Sequence, residues 1–485
     1  MAEGTIALLI IFGWILLTTI VAIIPGIRKK LSLDEWFVAG RSLGLVVIFF
    51  AVAAEIYSGF AFLGLAGWAY NFGVPILYAL AYFVTAYSTG FVITPYYNKL
   101  ARKLNLLTQP DFFVERYESR MLGALVAIIG IIFFVPYIQL QIGATGIIIE
   151  LASYGAITRN IAMVVAFLLV AFYIFIGGFK GIAWTNVLQG IIMWIIAISL
   201  VSVPFKVFGG IEPMFKQLEQ VSPQHLTLPG AAGAHPIAWY MSTLLLTTLG
   251  FWMFPHLVMR AYAAKDEKTI MKTNAWMAWY SLLAFPIVLI GLGAVLLYPN
   301  LKNPDWAVMW TARDLFSPWM VGLIGAGGAA AAISTGSGLI HATASLFSRN
   351  MIQRGLVPGL SDEKTANLAK IVAVLVTIIA LLLQLYAPTL LVSLLLMSYS
   401  GIIQFLPGIL LGLKWRKVTK IGVASGLIIG VLVVVLTTFV WTNPLGIHAG
   451  IWGVIVNFIV TIIVSTFTIP ASEETVKKFI EALSD

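Results

Sequence analysis

The 485-residue chain contains no cysteine. Disulfides, iron–sulfur clusters and thiolate zinc sites are therefore excluded. Charge is nearly as scarce. Asp, Glu, Lys and Arg make up 10% of the residues, while 60% are hydrophobic. Soluble domains carry about 25% charged residues. A water-soluble protein of this length could not bury so much apolar surface, so its solvent is lipid. No Walker loop, His-Glu-x-x-His or Gly-x-Ser-x-Gly occurs, so neither a primary pump nor a membrane enzyme finds its catalytic constellation here. No polar linker divides the chain, and residues 1–485 read as one membrane domain.

What is present is a series of apolar runs, each long enough to cross about 30 Å of hydrocarbon. They lie near 5–25, 43–71, 74–95, 121–152, 158–178, 181–208, 237–262, 275–299, 318–346, 364–387, 388–413, 418–442 and 447–470. The expected fold is thus all-α, with about thirteen transmembrane helices. The opening Met1-Ala2-Glu3-Gly4 has no basic region, so the first run reads as a spanning helix rather than a cleaved signal.

Thirteen spans put the termini on opposite sides. With the N-terminus outside, 24 of the 29 basic residues fall inside, from Arg28, Lys29 and Lys30 to Lys477 and Lys478. Only Arg159, Lys206, Lys216, Lys302 and Arg313 fall outside. Retention of Lys and Arg in cytoplasmic loops is the rule for membrane proteins. It predicts a multi-pass protein of the plasma membrane with a cytoplasmic C-terminus. The formal charge of +9 is accordingly a topology signal and not a sign of nucleic acid. The stretch Ser472 to Asp485 reads as a short amphipathic helix with a frayed, solvated end, with docking at the membrane interface as the alternative.

Two spans look broken. The second carries Tyr57-Ser58-Gly59-Phe60-Ala61-Phe62-Leu63-Gly64-Leu65-Ala66-Gly67, and the seventh carries Thr247-Thr248-Leu249-Gly250-Phe251-Trp252-Met253-Phe254-Pro255. Broken helices are tolerated in lipid only where they line protein or a watery cavity. A matched pair five spans apart points to inverted repeats, spans 2–6 and 7–11, with a site at mid-membrane. Packing glycines are the bland alternative.

Glu55 is the one acid near the centre of a span. An ionisable group there costs roughly 3 kcal/mol, so it reads as a cation or proton site facing the bundle interior. A protonated glutamate in a structural bond is the alternative. His341, in the ninth span, reads first as a packing or hydrogen-bonding residue, with a coupling role as the alternative. His256 is assigned no chemistry. The adjacent hydroxyls Ser334 and Thr335 lie among small residues, where they serve as packing glue or as oxygen ligands for a hard cation.

Several segments together resemble the sodium:solute symporter family, which includes proline, pantothenate, sialic acid, monocarboxylate and glucose cotransporters. They are Phe37 through Gly44; Thr108-Gln109-Pro110-Asp111-Phe112 with Arg116-Tyr117; Gly177-Gly178 with Thr185-Asn186-Val187-Leu188-Gln189; Pro255-His256 with Arg260; and Ala331 through Ser345. They run in family order and cover most of the chain. The resemblance implies a leucine-transporter-like five-plus-five inverted repeat with extra helices. Residues 5–42 would be an additional first helix and loop, 43–208 the first repeat, 237–413 the second, and 414–485 extra helices and a tail.

It also implies sodium-coupled alternating access. Ala54, Tyr57, Ala331, Ser334 and Thr335 match the family's sodium ligands. Many members have Asp where this chain has Asn186, so Asn186 joins Glu55 and His341 as a coupling candidate. The proline branch's intramembrane Asp falls at Ile56, beside Glu55. Its Trp and Tyr on span 7 fall at Thr247 and Phe251, and its Gln before Pro-His is Phe254. These departures argue against proline. The segments around Ser58 and Phe254 look more like branches that carry small monocarboxylates, with Glu55, Ser58, Gly59, Phe251 and Phe254 lining the substrate.

The expectation is sodium symport of a short monocarboxylate by a protein able to work as a monomer in the lipid bilayer. Proton coupling, a proline-like amino-acid substrate, and a passive facilitator or channel remain the alternatives.

Overall fold

The structure is a computed structural model that describes residues 2–484; the side chains of Ala2, Glu55 and Ser484 lie outside the described residues. Among the described residues every regular element is helical, and the one β-bridge joins Leu43 to Ala264. Helices satisfy their own backbone groups, which lipid cannot do. Among the described residues ten helices are long and apolar enough to cross a membrane, or eleven if one bent pair is counted as a span.

The chain opens with α1 (Ala2–Arg28) and the short α2 (Leu33–Val38). Ser32 and Glu35 cap α2 reciprocally, the exchange of bonds expected of a capping box. Its Trp36 and Phe37 are fully buried. Next come α3 (Leu45–Ile56), a π-helical turn at Phe60–Gly64 and α4 (Leu65–Phe72), which together make the first broken span. Then follow α5 (Leu77–Leu104), α6 (Gln109–Tyr117) and α7 (Arg120–Ala152). The third span therefore runs past its expected end at 95, to Leu104.

The element α8 (Arg159–Phe208) has 50 residues. At 1.5 Å per residue it would measure about 75 Å if straight, more than twice a bilayer core. It is broken at Gly178, where φ is 53° and ψ is −155°. That region belongs essentially to glycine, and Trp36 Cδ1 lies 2.5 Å from where a Cβ would stand. The two expected spans 158–178 and 181–208 are the arms of this one kinked element.

After α9 (Ile211–Val221), the second broken span is α10 (Ile237–Gly250) and α11 (Pro255–Ala263), bent by 47° across Phe251–Phe254. The next crossing combines α12 (Glu267–Tyr280) and α13 (Phe285–Leu297), and α14 (Ala307–Leu315) leads into α15 (Pro318–Ser345). The central helix is α15, whose Gly/Ala-rich face lets neighbours approach closely. It does not stop near 346 but continues as a π-helix through Leu346–Leu356. The chain ends with α16 (Asp362–Tyr386), α17 (Leu391–Ile402), α18 (Phe405–Lys414), α19 (Lys420–Phe439), α20 (Ala449–Thr466) and α21 (Glu473–Ser484).

The last helix corrects an expectation. It docks on the bundle instead of fraying in solvent. Phe479 is buried, its ring lies 5.3 Å from Phe112, and Glu118 accepts hydrogen bonds from Ser472 and Thr475. The amphipathic stripe thus meets a protein surface.

The loops sort onto two faces. On the basic face Lys30 meets Glu363, Lys99 meets Glu267 and Arg102 donates to the Ala264 carbonyl. On the opposite face the Tyr70 hydroxyl donates to the Tyr298 carbonyl, and the His225 ring bonds the Tyr70 carbonyl.

Candidate ion and substrate site

The helix α3 ends at Ile56, and Tyr57 N–H still donates to the Ala53 carbonyl at 3.1 Å. The next carbonyl, that of Ala54, is met by side chains. Thr335 Oγ1 donates to it at 2.8 Å and Ser334 Oγ lies 3.3 Å away. Both hydroxyls also reach the Ala331 carbonyl, at 2.8 Å from Ser334 and 3.4 Å from Thr335. Four of the five expected ion ligands therefore converge, joining residues 281 positions apart. All of them are buried. A hydroxyl that donates one bond keeps two lone pairs, so this donor set fits a hard monovalent cation. Tyr57 caps α3 with a non-helical backbone, and its own hydroxyl donates to the Leu283 carbonyl at 2.7 Å.

The coupling candidates are placed differently. The Glu55 backbone occupies the last turn of α3, and its side chain is outside the described residues. Asn186 sits on the second arm of α8, wholly buried, and neither its amide oxygen nor its nitrogen has a hydrogen-bond partner. His341 lies six residues beyond Thr335, about 9 Å along the helix. Its Nε2 is 2.8 Å from the Trp36 carbonyl and its ring 4.4 Å from the Trp36 ring. It is tied to α2, not to the oxygen cluster.

The five substrate candidates divide. Gly59 N–H donates to Gln141 Oε1 at 2.9 Å. A Cβ on Gly59 would stand 2.6 Å from that of Ala144 and 3.4 Å from that of Ala332, so no side chain fits. Beside it, Ser58 Oγ has no partner, and neither has Gln141 Nε2. Phe254, at the second break, lies in an aromatic cage, 4.8 Å from Tyr399, 5.4 Å from His256 and 5.7 Å from Tyr137. Gln141 and Tyr137 are one turn apart on α7, so this helix joins Gly59 to the cage. Phe251 turns instead to Tyr87, at 5.4 Å. Ser58, Gln141, Phe251 and Phe254 are all at most 2% exposed, which makes this an occluded arrangement.

Gln141, Tyr137, Tyr399 and His256 were not among the sequence candidates. The pair Gln139 and Gln141 inside an otherwise apolar span was the available signal. His256 follows the proline that starts the second half-helix, so it sits beside the break.

Polar groups hold the second break open. Gln109 Nε2 donates to the Met253 carbonyl at 2.7 Å and the Tyr97 hydroxyl to the Trp252 carbonyl at 3.2 Å. Two residues on, Asp111 accepts from Arg349 Nε at 2.8 Å and from Asn350 and the Leu107 N–H at 2.9 Å each. Burial pushes its pKa up, but Arg349, Arg354 and the Leu107 N–H outweigh that and hold it below the usual carboxylate range. On the opposite face Asp305 packs onto Gly67 and faces the Leu391 N–H at 3.5 Å. Burial raises its pKa to about 6.

Two broken helices, with an oxygen cluster at one break, are the kind of arrangement in which secondary transporters build their sites. The chain belongs to the sodium:solute symporter family, whose family model matches residues 36–430. It is 35% identical to the uncharacterized symporter YhjB of Bacillus subtilis, over 90% of each chain. It is 27% identical to a monocarboxylate transport permease protein of Rhizobium johnstonii, over 88% of this chain and 87% of that one. With the osmoregulated proline transporter OpuE of Bacillus subtilis it shares 26% identity, over 90% and 89%. Its fold matches that of a Na+-coupled sialic acid symporter in a substrate-bound outward-open state, with a TM-score of 0.81, 19% identity, and 96% and 98% of the two chains covered. The fold is therefore leucine-transporter-like and the protein a transporter, not an enzyme.

Proposed function

We propose that this sodium-coupled symporter carries a short monocarboxylate by alternating access, with Ala54, Tyr57, Ala331, Ser334 and Thr335 holding the ion. The observation that carries the reading is the meeting of Ser334 and Thr335 with the Ala54 carbonyl where α3 ends. An ion there ties the first broken helix to α15, so ion occupancy and the set of the broken helix are coupled. The substrate carboxylate would take the free donors Gln141 Nε2 and Ser58 Oγ, together with the positive end of the half-helix that begins beyond Gly59. Phe254 and its aromatic neighbours would cover the aliphatic end, with Phe251 behind them. Glu55 and Asn186 would tune the ion step, and His341 would brace α15 against α2.

Ten crossing helices become thirteen crossings when α8 is counted on both sides of Gly178 and each broken span counts once. The basic face then lies in the cytoplasm and the N-terminus outside, in the plasma membrane. A buried site within one bundle supports function as a monomer.

The test is uptake of labelled pyruvate or lactate into proteoliposomes, under an inward sodium gradient at equal pH. Concentrative uptake that collapses when sodium is equalised is expected. Uptake driven only by a proton gradient would transfer the coupling to Glu55, and uptake that merely equilibrates would make the protein a facilitator. Ser334→Ala with Thr335→Ala should raise the sodium concentration for half-activation by about a hundredfold or more, since each hydroxyl bonding a charge is worth about 1.5–3 kcal/mol. Unchanged sodium activation would remove the ion assignment. The likeness to a proline transporter favours proline as the second reading, and competition by proline separates the two.

A further inference from the structure

We propose that the cleft between α1 and the bend of α8 is a binding site for an anionic phospholipid, entered from the bilayer at the basic face. The two helices touch at this point. A Cβ on Gly26 would stand 1.9 Å from the Ile176 carbonyl oxygen, so the backbones meet there. Beyond the contact, α8 turns at Gly178 and α1 runs out to Arg28. Between them lies a cleft of about 520 Å³.

Its wall is apolar: Val21, Ile24 and Pro25 from α1, and Trp184 from α8. Trp184 is 46% exposed, an amphipathic ring of the kind that sits at lipid headgroup level. Its rim is cationic, formed by Arg28, Lys29 and Lys180. Lys29 is already paired with Glu35. Arg28 and Lys180 have no carboxylate partner among the described residues, and no acid lines the cleft. Another cleft with basic residues, at Arg416, Lys417 and Lys477, contains Glu473 and Glu481 as internal counter-ions.

Two uncompensated cations above an apolar slot match an acyl chain with a phosphate head bearing net negative charge. Basic pockets between membrane helices recognise such heads. A zwitterionic lipid brings its own cation to the rim and loses that match. The cleft touches none of the ion or substrate residues, so the proposal stands apart from the transport reading.

The experiment is native mass spectrometry of the full-length protein released from nanodiscs. The nanodiscs contain equal parts of phosphatidylglycerol and phosphatidylcholine of the same acyl chains. Wild type should retain phosphatidylglycerol preferentially. Arg28→Gln with Lys180→Gln should weaken retention by about fivefold per cation, from a contribution of about 1 kcal/mol each. Arg416→Gln with Lys417→Gln should leave retention unchanged. Arg28→Lys with Lys180→Arg, which keeps both charges, should restore it and separates lost binding from lost folding. Glycerol phosphate without acyl chains should not compete. No preference in wild type, equal loss in both glutamine pairs, or full competition by glycerol phosphate would each overturn the proposal.

Discussion

Acidification should close the end of this transporter opposite its basic face, through Asp305. That residue lies in the turn Pro304–Trp306, between Gly67 of α4 and the first N–H of α17. Separating α4 from α17 would return its carboxyl to water. In the closed arrangement burial raises the pKa from 3.8 to about 6, against weaker opposing effects of the Leu391 N–H and Arg159. Lys302 lines the same cleft. The acid is thus bound more tightly by a proton in the closed form than in the open one. Closure is favoured below the open-form value and loses that advantage as pH rises through about 6. A shift of about two units corresponds to about 3 kcal/mol, or roughly a hundredfold in the closed-to-open ratio, developed between pH about 4 and 6.

The absence of native cysteine allows a direct assay. Cysteines at Ala232 and Thr389, spin-labelled at neutral pH, would report the gap between the loop over α4 and the start of α17. Double electron–electron resonance in nanodiscs should show the shorter distance gaining population from pH 7 to pH 4.5. Asp305→Asn, neutral throughout, should favour the shorter distance at every pH. A wild-type distribution that ignores pH, or an Asn variant that follows it equally, would refute the reasoning.

Gly178→Ala should destabilise the protein by about 3 kcal/mol, because alanine is strained at that backbone geometry and its methyl would meet Trp36. An unchanged thermal unfolding midpoint in detergent would count against the kink as described. Asp111→Asn should cost about 3 kcal/mol by leaving the buried Arg349 without its counter-ion. The wild-type advantage should hold above pH 4 or so and fade on acidification, since the Asp111 pKa is depressed; parallel unfolding of the two proteins at pH 7 and 3 checks it. Gln141→Leu should raise the substrate concentration for half-maximal uptake by about tenfold, with a smaller effect on sodium activation, because it removes a free donor and the acceptor of Gly59 N–H. Equal changes in both would place Gln141 in the scaffold.

The long apolar helices were legible because lipid leaves so few options: a backbone without water must be helical, and a helix must reach across. Their ends were less so. The segment after 346 is too polar to read as membrane, yet it stays helical because Arg349 and Asn350 find Asp111. The tail looked frayed because nothing local shows that Phe112 and Arg116 provide a partner for Phe479. The break at Phe251–Phe254 was visible as a pattern. What supports it, Gln109 from a distant short helix, was visible only as a fragment of a familiar motif.

The oxygen cluster shows where such reading stops and why. Ser334 and Thr335 each have a local partner in the Ala331 carbonyl, and that alone would explain adjacent hydroxyls on a small-residue helix. Only the arrival of Ala54 changes their meaning. A continuous α3 would have used that carbonyl for its own next turn. Because the helix ends at Ile56, the carbonyl is released to hydroxyls from the other half of the chain. The break and the hydroxyl pair are therefore one feature, each uninformative without the other. The same logic explains why Gln141 was missed while Gly59 was found: a glycine in a span announces a backbone constraint, but a glutamine shows its purpose only beside the N–H it receives.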